Sequence, residues 1–248
     1  MMTENFSQYS VFILAAGVGN RLRPLTDSIP KPMVPFGGKP LLEHTITLLR
    51  DQGFRNFVMN VHHLPEKITD YFGNGQKFGV NITYSDESKE LLETAGAIRK
   101  AASHLSDTFV LLYGDHMHAF DFRDVLRFHN AANALGTMVL KTSDLPQNGD
   151  IAEIDPATKR IIKWYARPHR VAEFSNGLYL NTGFSVFSKK IADHIPEGRP
   201  VKLDAEVIPG LVAEGAPLYG FPTAEEILDI NTPEKYEIAK QWHLARRK

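Results

Sequence analysis

The chain has 248 residues, 43% of them hydrophobic and 23% charged, with 28 Lys and Arg against 29 Asp and Glu. An apolar share of that size supports a sizeable core and excludes intrinsic disorder, and the near-zero charge excludes bulk attraction to nucleic acid or an anionic membrane. Cysteine is absent, which removes disulfides, thiolate nucleophiles and Cys-ligated zinc together.

The first ten residues are polar and lack the basic start and apolar run of a signal peptide. No apolar segment approaches the roughly 20 residues that span a bilayer. The expectation is a cytoplasmic protein with neither a membrane nor a nucleic-acid partner.

Apolar runs alternate with helical patterns along the first half. Val11 to Ala16 reads as a fully buried strand closed by a loop with Gly17 and Gly19. Leu41 to Gln52 has helical apolar spacing and ends before Gly53. A strand at Asn56 to Val61, a helix at Glu66 to Phe72 and a strand at Val80 to Tyr84 follow. A helix over Thr94 to Leu105 leads to a strand at Phe109 to Tyr113. A helix over Phe122 to Asn133 leads to a strand at Thr137 to Lys141. This order predicts an α/β fold, a Rossmann-like, mostly parallel sheet with helices on both faces. Beyond about residue 142 the pattern changes to strands at 151–154, 161–164 and 177–187. Helices near 204–214 and 233–246 close the chain. No repeat or linker interrupts it, so a single domain is expected, with a C-terminal subregion over one edge of the sheet.

The loop after the first strand carries the densest chemistry. Gly17 and Gly19 let backbone N–H groups approach a phosphate closely. Arg21 adds a forked guanidinium, and Lys31 is held between Pro30 and Pro32. Singly, each is compatible with a basic surface turn. Together, Gly17, Gly19, Arg21 and Lys31 point to a polyphosphate site. Asp115 follows a buried strand and a glycine, where open α/β sheets bind ligands. Asp229 interrupts the apolar run Ile227 to Ile230, a costly placement unless it is paired or metal-bound. A helix cap at Asp115 and an internal ion pair at Asp229 are the alternatives. His116 and His118 alternate as a transition-metal pair would, and His62-His63 sits after another strand. No third ligand stands at a recognisable spacing, so polar packing or substrate contact is the simpler reading.

The stretch Leu14 to Thr26 with Pro30-Lys31-Pro32 resembles the signature of sugar-1-phosphate nucleotidyltransferases, with Ala16 for a glycine and Asn20 for a threonine. The likeness continues through Gly38 to His44, Leu92 to Ala97, Gly114-Asp115 and Asp229 to Glu234. The first half is most similar to N-acetylmuramate-1-phosphate uridylyltransferases and to mannose- or heptose-1-phosphate guanylyltransferases. The stretch Val207 to Gly215 leans toward the latter.

That resemblance implies a nucleotide-binding core over about 11–141 and a sugar-binding, metal-completing part over about 142–248. It implies that Ala15, Ala16, Gly17, Gly19, Glu93, Thr94 and Gly96 hold the nucleotide, although Thr94 could simply cap a helix. Arg21 and Lys31 become the catalytic cations, and Asp115 and Asp229 the ligands of Mg²⁺. Arg167 and Asn181 become contacts to the sugar phosphate. The family's Phe-x-Glu-Lys-Pro motif falls on Tyr165-Ala166-Arg167-Pro168, so Ala166 stands where a glutamate usually meets sugar hydroxyls. The implied reaction joins a nucleoside triphosphate, guanylyl or uridylyl donor, to a sugar-1-phosphate and releases pyrophosphate. Cytidylyl transfer to a phospho-alcohol or phosphonate and a non-catalytic nucleotide-sensing subunit are the alternatives. The sequence is compatible with a homo-oligomer and does not specify one.

Overall fold

A computed structural model describes residues 4–142, 145–172 and 175–245. In chain order the elements are β1 (Ser10–Leu14), β2 (Pro35–Phe36), β3 (Lys39–Pro40), α1 (Leu41–Asp51), β4 (Asn56–Val61), α2 (Pro65–Phe72) and β5 (Asn81–Asp86). Then come α3 (Glu93–Ala101), β6 (Thr108–Tyr113), β7 (His116–His118), α4 (Phe122–Ala131), β8 (Gly136–Lys141), β9 (Ile151–Ile154) and β10 (Ile161–Tyr165). The chain ends with β11 (Leu178–Ser188), α5 (Ile208–Ala213), β12 (Leu218–Thr223), β13 (Ile227–Asp229) and α6 (Pro233–Ala245). Arg246, the expected end of the last helix, lies outside the described residues. Among those described, no helix is long and apolar enough to cross a membrane.

The chain forms two compact units. One comprises Met1–Leu91, Tyr113–Asp121 and Glu226–Lys248, and the other Leu92–Leu112 and Phe122–Glu225. The chain therefore leaves the first unit and returns to it twice, where the sequence suggested one change of character near residue 142.

In the first unit β1, β4 and β5 run parallel, with Phe12 opposite Val58 and Val58 opposite Thr83. Val11, Phe12 and Ile13 are fully buried, which is why β1 reads as a continuous apolar run rather than an alternation. Helix α1 turns Leu41, Leu42, Ile46 and Leu49 inward at helical spacing. It stops at Gly53, whose φ of +104° few side chains tolerate. A satellite core of Leu22, Phe36, Leu41, Met117, Ile230 and Ala239 ties the loop after β1 to β7, β13 and α6. This cluster holds the short strand pair on which Asp229 lies and which Asp115 directly precedes.

In the second unit β10, β9, β11 and β6 lie side by side and antiparallel, and β8 pairs antiparallel with β11 and parallel with β12. The expected α/β class holds, with parallel strands in the first unit and a mixed arrangement in the second. Two expected helices differ in detail. The stretch 204–214 opens as a π-helical turn, Leu203–Val207, and only then becomes α5. Pro209 sits in the first turn of α5, where its missing N–H costs nothing. Helix α3 begins one residue earlier than expected, at Glu93, and tightens to 3₁₀ at Ala102–His104.

Candidate active site

The loop leaving β1 is held from below by a buried polar chain. The Ala15 N–H donates to Asn60 Oδ1 at 2.7 Å, and Asn60 Nδ2 donates to Glu87 Oε1 at 2.9 Å. Ala15, Ala16, Asn60 and Glu87 are all buried, and a buried polar group holds its place only when partnered. Gly17 has open space where a side chain would stand. Gly19 adopts φ +72°, and a Cβ there would meet Thr26 Cγ2 at 3.0 Å and Lys31 Cβ at 3.1 Å. The Gly19 carbonyl accepts from Leu22 N–H and from the Thr26 hydroxyl, both at 2.9 Å. Gly19 thus brings the loop directly against Lys31. Arg21 lies on the exposed surface of this loop with no ion pair among the described residues, so its guanidinium is available to a ligand.

Lys31 sits in a 3₁₀ turn that opens from Pro30, with Met33 N–H donating to Pro30 O at 2.8 Å. Its side chain is only 11% exposed and donates to Asp115 Oδ2. On the other carboxylate oxygen, Asp115 Oδ1 meets His116 Nδ1 at 2.9 Å. Burial alone would push the Asp115 carboxyl up. The charges and hydrogen bonds of His116 and Lys31 outweigh burial and hold it well below the usual carboxylate range. Asp115 caps no helix.

Strand β7 pairs antiparallel with β13, placing His116 opposite Asp229, and the Ile230 N–H donates to the Asp115 backbone oxygen at 3.0 Å. The two aspartates are thereby brought to one end of a two-stranded ribbon. Asp229 accepts from Lys235 Nζ and from Asn231 Nδ2, so the ion pair weighed for it from sequence exists. Two carboxylates are the hard oxygen donors that Mg²⁺ takes alongside phosphate and water, so the donor set fits that ion, with Lys31 and Lys235 sharing the oxygens. Among the described residues, no group of three or more His, Asp and Glu side chains is arranged to hold a metal. His118 is buried, and burial together with the charge of His116 lowers its pKa to about 3, which keeps it neutral.

The second unit holds a cavity of about 620 Å³ whose walls include Glu93, Asp150, Arg167, His169, Lys202 and Asp204. Glu93 opens α3 with φ +60°, a left-handed backbone unusual for a residue with a side chain. Thr94 is not the helix cap; Leu92 is. The Thr94 hydroxyl instead accepts from Leu203 N–H at 2.8 Å, tying α3 to the segment that carries Asp204. The N–H groups of Ala95 and Gly96 are taken by Val201 O at 2.9 and 3.2 Å. A Cβ on Gly96 would meet Leu92 Cβ at 3.0 Å, which accounts for the glycine by packing.

Arg167 donates its backbone N–H to Asp150 Oδ1 at 2.8 Å and holds Nε 3.7 Å from the same oxygen. Asn181 Nδ2 donates to Asp204 Oδ1 at 3.2 Å. Burial first, and the charge of Asp150 second, raise the Asp204 carboxyl to about 7, with Arg167 pulling the other way.

Gly17, Gly19, Arg21, Lys31, Asp115 and Asp229 thus gather in the first unit, whereas Glu93, Thr94, Gly96, Arg167 and Asn181 lie in the second. Sequence reasoning missed Asn60, Glu87, Lys235, Asp150 and Asp204. Asn60 had a signal, being polar within the apolar run of β4. The others look like ordinary surface charges until the fold places them.

Residues 10–243 match the nucleotidyl transferase family. A Synechocystis protein named UTP–glucose-1-phosphate uridylyltransferase is 35% identical over 247 residues, covering 94% of this chain and 63% of that one. A mannose-1-phosphate guanylyltransferase from Mycobacterium tuberculosis is 32% identical over 231 residues, covering 92% of this chain and 63% of its own. This chain therefore spans 63% of the length of these two relatives. Among solved structures, HddC from Yersinia pseudotuberculosis superposes with a TM-score of 0.79 at 24% identity, over 95% of this chain and 99% of the other. A Bacillus anthracis structure does so with a TM-score of 0.81 at 21% identity, over 94% of each chain. Both likenesses concern the fold. The glycine loop, the part-buried lysine on Asp115 and the match over residues 10–243 converge: the chain belongs to the nucleotidyl transferase family.

Proposed function

We propose that this chain transfers a nucleoside monophosphate from a nucleoside triphosphate to a sugar-1-phosphate, releasing pyrophosphate, with a uridylyl or guanylyl donor. The observation that carries this reading is the assembly of Gly19, Lys31, Asp115 and Asp229 in one unit, a cation and two carboxylates together beside a glycine loop. The relatives named for UTP and for mannose-1-phosphate guanylyl transfer support the donor and the acceptor class.

Joining two polyanions is chiefly a problem of charge neutralisation and in-line positioning. The acceptor phosphate is already ionised, so no side chain need remove a proton from it. The glycine loop offers backbone N–H groups to the triphosphate, Arg21 holds the leaving pyrophosphate, and Lys31 steadies the charge that develops at the α-phosphate. Asp115 and Asp229 are the residues that would hold Mg²⁺, which when bound supplies further charge neutralisation on the phosphates. In the second unit, Arg167 orients the acceptor phosphate, and the cavity beside it receives the sugar. A pyrophosphate-release assay over the four nucleoside triphosphates and a panel of sugar-1-phosphates, with and without Mg²⁺, tests the reading. Release dependent on a sugar-1-phosphate supports it, and no release with any pair rejects it.

A further inference from the structure

The cavity of the second unit carries three acids, Glu93, Asp150 and Asp204, against the cations Arg167 and Lys202. That is an unusual lining for a ligand whose only charge is a phosphate, so most of the carboxylates must meet some other part of it. The resemblance places a hydroxyl-reading glutamate at position 166, where this chain has Ala166, which is not among the residues lining the cavity. Yet Asp150 Oδ1 accepts the N–H of Arg167 at 2.8 Å, on the peptide that joins Ala166 to Arg167. A carboxylate therefore reaches this place from β9's approach loop instead of from the motif itself.

We infer that Asp150 and Asp204 read the ring hydroxyls of the acceptor sugar, with Asp150 standing in space for the carboxylate that position 166 lacks. The inference rests on the nucleotidyl-transfer reading above.

Each carboxylate is anchored through one oxygen only. Asp150 uses Oδ1 on Arg167, and Asp204 uses Oδ1 on Asn181. The Oδ2 atoms of both accept no hydrogen bond from the described residues, so two acceptors remain for a ligand. The Asp204 backbone is fixed as well, its carbonyl accepting from Trp164 Nε1 at 2.8 Å, and Thr94 holds the neighbouring Leu203 N–H. These anchors make the pair a rigid reader, which is what discrimination between epimers requires.

The charged groups around Asp204 are Asp150, Arg167, Lys202, His169 and Glu93, and its carboxyl, raised to about 7, exchanges its proton near neutral pH. A carboxyl that keeps its proton up to about pH 7 can donate as well as accept, which suits hydroxyls, since they do both. An ammonium only donates, and it would favour two ionised carboxylates. The lining therefore fits a hydroxylated acceptor better than an aminated one.

The test compares wild type with Asp150→Asn, Asp204→Asn, Asp150→Ala and the double variant Asp150→Ala, Ala166→Glu. Asp150→Asn retains an oxygen to accept from Arg167 N–H, so the local fold persists, and circular dichroism with a melting curve checks it. Pyrophosphate release is measured on glucose-, galactose-, mannose- and glucosamine-1-phosphate at saturating nucleotide. Each Asn variant should raise the KM for the preferred hexose-1-phosphate about ten-fold or more, as one charged hydrogen bond implies. The KM for nucleotide should stay within about two-fold, and the epimer ratio of kcat/KM should shrink. Glutamate at 166 should recover part of the ratio lost in Asp150→Ala alone.

Folded Asn variants with unchanged epimer ratios would overturn the inference while leaving nucleotidyl transfer intact. A wild-type preference for glucosamine-1-phosphate over glucose-1-phosphate, lost in both Asn variants, would also overturn it in favour of an ammonium reader. If wild type releases pyrophosphate with no sugar-1-phosphate, nucleotidyl transfer fails and this inference fails with it.

Discussion

Lys31 and Asp115, 84 positions apart in sequence, close an ion pair in the first unit, with the lysine only 11% and the aspartate 20% exposed. On the proposed reading the pair serves the chemistry. Lys31 stands on a proline-bounded turn beside Gly19, and Asp115 immediately precedes the strand that pairs with the one carrying Asp229. A positioned ammonium that is held by a carboxylate until phosphate arrives is spared the reorganisation a flexible surface lysine would need.

Lys31→Ala should therefore lower kcat by roughly 10²–10³-fold, the range seen when one preorganised charge donor is removed. Lys31→Arg should recover only part of it, because a planar fork does not place one ammonium on Asp115 Oδ2. Steady-state turnover on purified protein, with circular dichroism to verify folding, measures both. Near-normal turnover in folded Lys31→Ala would remove the lysine from the chemistry.

Metal dependence is checked at the carboxylates. Asp115→Asn and Asp229→Asn should each raise the Mg²⁺ concentration for half-maximal activity by about ten-fold or more, because a neutral amide is a poorer ligand for a hard cation. Titrating Mg²⁺ against pyrophosphate release gives the values. Equal activity in chelator and in Mg²⁺ for the wild-type protein would contradict the two-carboxylate assignment.

The Asp204 carboxyl makes stability fall with rising pH. Its folded value of about 7 lies above the ordinary 3.8, so the folded protein holds this proton more tightly than the unfolded chain. The penalty is absent below about pH 4, grows between about 4 and 7, and is complete above that. Asp204→Asn removes it. The variant should melt above wild type at about pH 8, by about 2–4 °C for each kcal/mol relieved, and the difference should vanish near pH 4. Differential scanning fluorimetry across that range decides; a difference of the same size at every pH would mean the burial of Asp204 carries no proton linkage.

Glu93 holds φ +60° at the head of α3. A left-handed backbone costs a residue with a side chain roughly 1–2 kcal/mol, and glycine's greater unfolded-state freedom returns about 0.5–1 of that. Glu93→Gly should thus stabilise the fold by up to about 1 kcal/mol while weakening acceptor or nucleotide binding. Denaturant melts and KM values measure the two together. A destabilised Glu93→Gly protein would show that the carboxylate serves the fold instead.

The sequence disclosed the elements whose burial writes a pattern. Strand β4 was legible to the residue because Phe57, Val58, Met59 and Val61 are all buried, and α1 because its inward face repeats at helical spacing. The ribbon of β7 and β13 was not, since three residues a side bury too little to show a period. Its register, His116 opposite Asp229, is set by packing of Met117 and Ile230 into the satellite core, and no local signal announces it. Asp150 directly precedes the strand expected at 151–154, and Asp204 reads as the start of a helix. Only the return of β11 and the π-helical turn brings their carboxylates to one cavity.

One measurement bears most directly on nucleotidyl transfer: pyrophosphate release by the purified chain with each nucleoside triphosphate against sugar-1-phosphates and phospho-alcohols, in Mg²⁺ and in chelator. The account predicts release with UTP or GTP and a hexose-1-phosphate, in Mg²⁺ only, and its loss in Lys31→Ala. Release with no pair, or only with CTP and a phospho-alcohol, would contradict it.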